Sequence, residues 1–374
     1  MLKKIVSARC FPDLKCLFIE DYDYCASGMI FYPLGRDALL SGLISLGLRK
    51  GDSIIVPAFM CKSTIQPLQA FGFSLIFVDI GKDFELSIEV IKKILFNCET
   101  IKALIVVHYF GFTKDIHELV DICHESGVKV VEDASHSFMS QSLRNKNFFK
   151  GDIEIFSLRK SLPIADGGAL IINNSEHKAL DPCENNTLYS ARNIRYLCLR
   201  LLEKLIISLR INIYGKTIND FKNKLRGYLS PEKKYVDFKP GQACQPSGQL
   251  VKYLSNDRYL KDLQRKISHN FNELSQGLQF LGFNLCTNAL EDQIVPQACV
   301  VYDNKGKLVD YLRSHGVGAW QWPGEEIPDE VAMNYSLYPN SHYFDKTLVL
   351  IPVHQTLSSN EIDYMIKVLS RWKM

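Results

Sequence analysis

A single lysine, Lys160, stands just past an apolar run ending Phe156-Ser157-Leu158-Arg159 and shortly before Asp166-Gly167-Gly168. Upstream, Val130-Val131-Glu132-Asp133-Ala134-Ser135-His136 closes another apolar run with a carboxylate and an imidazole three residues apart. Strand ends of this kind are where open α/β sheets place their ligands. A lysine amine can capture a cofactor aldehyde, and a carboxylate beside the ring nitrogen keeps that ring protonated and able to accept electrons. Lys160 with Asp133 therefore suggests a pyridoxal phosphate site. Arg159 beside the lysine favours its free-base form. The plainer readings are a solvated Lys160 and an Asp133 that caps the next helix.

Elements must bring these residues together. Ser53 to Val56, Leu75 to Val78, Ala103 to His108, Val128 to Glu132, Ile153 to Leu158 and Ala169 to Ile172 are near-continuous apolar runs, predicting strands buried on both faces. Between them, Arg36 to Leu48, Ser63 to Phe71, Ser87 to Leu95 and Lys114 to Ser126 carry apolar residues at helical spacing. The alternation predicts an α/β sheet covered by helices on both faces. A long helix from Gln249 to Leu278 is predicted next, then strand Ala298 to Tyr302, helix Lys307 to Ser314, strand Leu348 to Ile351 and helix Asn360 to Trp372. These give a smaller α/β unit. The expected division is 1–230 and 231–374, with Pro231 to Gly248 as the connection.

Gly35-Arg36-Asp37-Ala38-Leu39, Gly51-Asp52 with Val56-Pro57-Ala58-Phe59, Phe77-Val78-Asp79, Val107-His108-Tyr109-Phe110-Gly111, Glu132-Asp133-Ala134, and Phe156-Ser157 through Lys160 to Gly167-Gly168 follow one another in an order that resembles the DegT/StrS family of pyridoxal-phosphate sugar aminotransferases. The resemblance covers about residues 30 to 175 and continues more weakly to the C-terminus. It implies a fold-type I transferase, with a large, mainly parallel sheet between helices and a smaller C-terminal α/β domain. It also implies pyridoxal 5′-phosphate as cofactor, glutamate or glutamine as amino donor, a nucleotide-linked keto-sugar as acceptor, and a homodimer with active sites at its interface. Surface-glycan or secondary-metabolite biosynthesis is the implied setting.

Residue by residue, the resemblance assigns Lys160 to the cofactor aldehyde and Asp133 to the ring nitrogen. Gly35, Arg36, Asp37 and Ser157 are assigned to the phosphate, where a helix N-terminus offers free N–H groups. Asp37 is expected to contribute only its backbone N–H. His136 falls near the phenolic oxygen. The ring-stacking position reads Cys61, with Phe59 or Met60 as substitutes. His108 and Tyr109 either meet substrate or complete the core; Arg159 and Trp322 are further substrate candidates. Trp320 and Trp322 either stack on a sugar or nucleobase or pack a domain joint. Residues Gln245 to Ser247 are expected to reach a partner's cofactor.

The segment from Ser157 to Lys160 is one residue shorter than the commoner family form. The first thirty residues lack the glycine-rich lead of many nucleotide-sugar enzymes. A sugar dehydratase on the same scaffold is an alternative, but the known ones carry histidine where Lys160 stands. A non-catalytic binding protein is the other.

The formal charge of +3 over 374 residues gives no reason to expect nucleic acid. The eleven cysteines form no C-x-x-C pair, so neither a metal site nor a disulfide framework is expected. No apolar run reaches membrane-spanning length, and Arg9 and Asp13 interrupt any signal-peptide core, which predicts a cytoplasmic protein. The segment 190–229 threads Arg192, Arg195, Arg200, Lys204 and Arg210 through Leu197, Leu201, Leu205 and Leu209. Such a basic amphipathic helix either lies on an anionic membrane surface or packs on protein with its basic residues in water.

Overall fold

The computed structural model describes residues 4–11, 28–141, 150–165, 167–173, 187–214, 243–244, 246, 250, 253–286, 294–323 and 327–373. The boundary at 230/231, the end of the basic segment beyond Tyr214, Asp166, Gln245 and Ser247 lie outside these residues.

Seven strands form the large sheet: β1 (Met29–Tyr32), β2 (Ser53–Pro57), β3 (Ser74–Val78), β4 (Ile101–Val107), β5 (Lys129–Asp133), β6 (Ile153–Ser157) and β7 (Gly168–Ile172). Their order is β1-β7-β6-β5-β4-β2-β3. The β3-β2-β4-β5-β6 portion is parallel, whereas β7 runs antiparallel to both β6 and β1. Strands β2 and β6 are buried along their whole length, as the unbroken apolar runs predict. Strand β3 departs from that expectation. It is an edge, and its first residue is exposed. Helices α1 (Gly35–Ser45), α2 (Lys62–Phe71), α3 (Ile88–Asn97) and α4 (His117–Glu125) fill the connections, followed by the short α5 (Phe138–Gln141) and the long α6 (Thr187–Ser208).

Two glycines set the geometry beneath the site. Strand β7 crosses the β1–α1 turn so closely that a Cβ on Gly168 would lie 2.3 Å from the Leu34 carbonyl oxygen. A Cβ on Gly35 would sit 3.3 Å from Ser157 Cβ and 3.6 Å from Ser135 Oγ. Glycine at both places lets the start of α1 rest against the ends of β5 and β6.

The C-terminal part holds α7 (Asp257–Phe280), β8 (Ala298–Tyr302), α8 (Leu308–Ser314), β9 (Trp320–Gln321), α9 (Asp329–Ala332), α10 (Pro339–Thr347), β10 (Leu348–Pro352) and α11 (Ser359–Lys373). Its antiparallel sheet is ordered β8-β10-β9. The long helix begins at Asp257 rather than Gln249, because the Asn256 side chain accepts the Tyr259 N–H at 2.9 Å and caps it. The N-terminal residues join this part: Val6 pairs in parallel with Val317, and His354 Nε2 lies 2.9 Å from the Ser7 carbonyl. Asp79, in the Phe77-Val78-Asp79 motif, ties the two sheets. Its carboxylate accepts the Asn340 and Ser341 N–H groups, both at 2.9 Å, at the start of α10.

Candidate active site

The cleft opens at the C-terminal edge of the parallel strands. It is lined by Met60, Cys61, Thr64, Val107, Asp133, Ser135, His136, Lys160 and Trp322. Four strand ends contribute: Met60 and Cys61 follow β2, Val107 ends β4, Asp133 ends β5, and Lys160 closes a one-turn 3₁₀ helix after β6. Trp322 comes from the C-terminal part, just after β9.

Lys160 Nζ lies 2.8 Å from His136 Nε2. The other imidazole nitrogen, Nδ1, accepts the Phe110 N–H at 3.1 Å. An accepting Nδ1 carries no proton, so the neutral ring holds its proton on Nε2 and donates it to Lys160. Only an uncharged amine can accept it. The electrostatics agree: burial, with Lys160 adding, holds His136 well below the usual imidazole range. Burial is also the main force lowering the Lys160 amine, with a contribution from Arg159 that opposes the pull of Cys61 and Asp133. Phe110 adopts a left-handed conformation at φ 57°, which a phenylalanine takes at some cost, and its ring stacks on His136 at a centroid distance of 6.0 Å. The turn containing Phe110 thus delivers both the N–H and the ring face that fix the imidazole.

Asp133 is buried, and its Oδ1 accepts the Ser135 N–H at 3.0 Å. Its neighbour Glu132 takes the opposite side of β5. Glu132 Oε2 meets His108 Nε2 at 2.7 Å, and Oε1 accepts the Lys150 N–H at 2.6 Å and the Gly151 N–H at 2.5 Å.

Several assignments from the sequence are corrected here. His108 is fully buried, holding Glu132 with Nε2 and accepting the Lys114 N–H with Nδ1, so it builds scaffold and does not face the cleft. Tyr109 is likewise enclosed; its hydroxyl donates to the Phe59 carbonyl at 2.7 Å. Phe59 does not line the cleft. Its ring is fully buried against Trp322, Phe344 and Tyr109, leaving Met60 and Cys61 on the open side. Arg159 is exposed and does not line the cleft, although its charge acts on Lys160. The Asp37 N–H is taken by the Leu34 carbonyl at 3.0 Å, so the N–H groups preceding the first helical hydrogen bonds belong to Gly35 and Arg36. Trp322 does line the cleft, edge-on to His136 at 5.5 Å. Ser157 is buried beside Gly35, as noted above.

Thr64 and Ser135 line the cleft without having been singled out from sequence. Ser135 carried a signal, a hydroxyl between the carboxylate and the imidazole; Thr64 carried only its place in the first turn of α2. Among the described residues, no group of three or more His, Cys, Asp or Glu is placed to hold a metal ion.

The donor set fits pyridoxal phosphate. An uncharged amine stands ready for an aldehyde, a buried carboxylate is available to a ring N–H, and the start of α1 lies against Ser157 and Ser135 for an anion.

The fold is that of a solved DegT DnrJ EryC1 StrS aminotransferase from Brucella abortus, with a TM-score of 0.64 over 92% of this chain and 86% of that one at 18% identity. It also matches the E. coli GDP-4-keto-6-deoxy-D-mannose-3-dehydratase with bound hydrated PLP, with a TM-score of 0.59 at 19% identity over 91% of this chain and 87% of that one. Residues 33–183 match the DegT/DnrJ/EryC1/StrS aminotransferase family. The chain is 31% identical over 144 residues to the GDP-perosamine synthase of Vibrio cholerae. That match covers 38% of this chain and 39% of the length of that relative.

Proposed function

We propose that the protein is a pyridoxal-phosphate-dependent aminotransferase that moves an amino group from glutamate or glutamine to a nucleotide-linked keto-sugar. The observation that carries this reading is the Lys160–His136 contact, in which a backbone-fixed imidazole favours a lysine in its uncharged, nucleophilic form. When bound, pyridoxal phosphate supplies an aldehyde that takes up amines and a ring that accepts the electron pair released at Cα. Lys160 would hold the cofactor, and its Nζ would carry a proton to and from Cα. Asp133 would keep a proton on the ring nitrogen. Gly35, Arg36 and Ser157 would hold the phosphate, and His136 Nε2–H would donate to the phenolic oxygen. Met60 and Cys61 would meet the ring, and Trp322 would border the sugar.

The family match over residues 33–183 and the likeness to a GDP-perosamine synthase support amino transfer to a sugar. Lys160 itself weighs against dehydration, for which the resembling enzymes use histidine. We also propose a homodimer, with 1–230 as the cofactor unit and 231–374 as the smaller unit that contributes Trp322.

Visible absorption of the purified protein with added pyridoxal phosphate, beside Lys160→Ala, tests the reading. The expected result is a lysine-dependent band that shifts with glutamate or glutamine, and amino transfer to GDP- or dTDP-linked 4-keto-sugars. A band that no amino donor shifts, or no band at all, rejects amino transfer.

A further inference from the structure

Helix α6 turns its two sides to different surroundings. On one side, buried Arg200 is held by Glu203, by the Arg9 carbonyl at 2.6 Å and by the Cys10 carbonyl at 2.9 Å, with its guanidinium 4.7 Å from the centre of the Phe11 ring. This fastens the helix to the N-terminal segment. On the other side, Leu199, Leu202, Leu205 and Leu209 recur at spacings of three and four residues, so they share a face. All four are more than half exposed, at 51%, 53%, 56% and 63%. A leucine stripe left in water on a helix is the kind of patch that marks a contact surface.

Charge identifies what it contacts. Arg195 and Arg210 beside the stripe are exposed, whereas Lys204 lies on the Arg200 side with its ammonium 5.9 Å from the centre of the Phe11 ring. Through 190–214 the only acid is Glu203, and it is bound to Arg200. The whole chain carries only +3, so this cationic excess is local. Pairing with a second copy across a two-fold axis would bring the same cations together. An anionic bilayer instead offers acyl chains to the leucines and phosphates to the cations, with Arg195 reaching from the stripe to the headgroups. Among the described residues no helix is long and apolar enough to cross a membrane, so the helix would lie along the surface.

We propose that the exposed face of α6 is a peripheral membrane-binding surface for anionic phospholipid. It sets the enzyme at the bilayer without involving the cleft.

Co-sedimentation of the full-length protein with vesicles tests this, comparing phosphatidylcholine alone with phosphatidylcholine containing phosphatidylglycerol. About fivefold more protein is expected on the anionic vesicles at low salt, with binding weakened by added salt. Leu202→Ser with Leu205→Ser should lose most of that binding while melting temperature and pyridoxal phosphate uptake stay at the wild-type level. Arg195→Gln with Arg210→Gln should lower the anionic preference specifically. Absence of wild-type binding overturns the proposal, as does binding unchanged by both double variants. A leucine variant that converts a dimer to a monomer, in a protein that does not sediment with vesicles, assigns the stripe to a second copy and equally overturns it.

Discussion

Glu132 and Asp133 are adjacent acids on one strand with opposite circumstances. Glu132 is closed in by an imidazole and two backbone N–H groups on the side of β5 that faces Glu154. Asp133 accepts the Ser135 N–H and borders a cleft with a lysine across it. The strand's alternation sends one carboxylate into structure and the other toward chemistry. A buried acid with its hydrogen bonds filled by its own fold holds that fold together, whereas one that lines a cleft is available to a ligand.

The comparison can be broken most sharply from the chemistry side. Lys160→Ala is expected to lower amino transfer by about 10⁴-fold, the upper range for a group moving protons at the reacting atom, with little change in melting temperature. A steady-state assay paired with thermal unfolding checks it. Glu132→Ala should do the reverse. It strands His108 and two backbone N–H groups, costing about 3–5 kcal/mol of stability, while the fraction that folds keeps its cofactor spectrum. Denaturant unfolding measures the first effect, and pyridoxal phosphate titration the second. Asp133→Asn is expected to leave stability nearly unchanged and to lower turnover by about 10²-fold, because an amide cannot hold the ring proton. Single-turnover kinetics with glutamate separates this loss from weaker substrate binding.

The smallest effect sharpens the structural side. Burial, reinforced by Glu132 and opposed by Asn173, raises Glu154 to about 7. In the unfolded chain this carboxyl returns to the ordinary glutamate range. Between those two values the folded protein binds more protons, so the contribution of Glu154 to stability is present at low pH and fades as pH rises toward 7. Glu154→Gln keeps an acceptor for the Asn173 amide without the ionisation. Its stability relative to wild type should therefore rise by about 2–3 kcal/mol from pH 5 to pH 8, as read from urea midpoints at each pH.

The contrast between these neighbours also explains what the sequence made legible. The unbroken apolar runs announced β2, β4, β5 and β6, and their ends located Asp133, His136 and Lys160, because a strand end is a fixed place in a parallel sheet. What lay beyond reach was direction. His108 and Val107 are consecutive, yet only Val107 meets the cleft, since successive side chains take opposite sides. Phe59 looked like a ring-stacking aromatic. The turn after Pro57, where the Met60 N–H reaches the Ala58 carbonyl at 3.1 Å, sends its ring into the aromatic core and turns the sulfur residues outward. Short pieces also escaped notice: β1 has four residues and β9 two, too few to carry a period. Trp322, offered as either a substrate contact or a joint residue, both borders the cleft and packs the aromatic cluster between the two sheets.

The close crossing at Gly168 and Gly35 has an evolutionary consequence. With the Leu34 carbonyl 2.3 Å from where a Gly168 side chain would begin, the wall between the start of α1 and the lysine turn cannot be thickened by even one methyl group. Variation that retunes the pocket must therefore enter from the opposite bank, around Cys61, Thr64 and Trp322. In a saturation library the two banks should separate cleanly, one a fixed jaw that rejects every replacement and the other an adjustable jaw where new specificities can be selected.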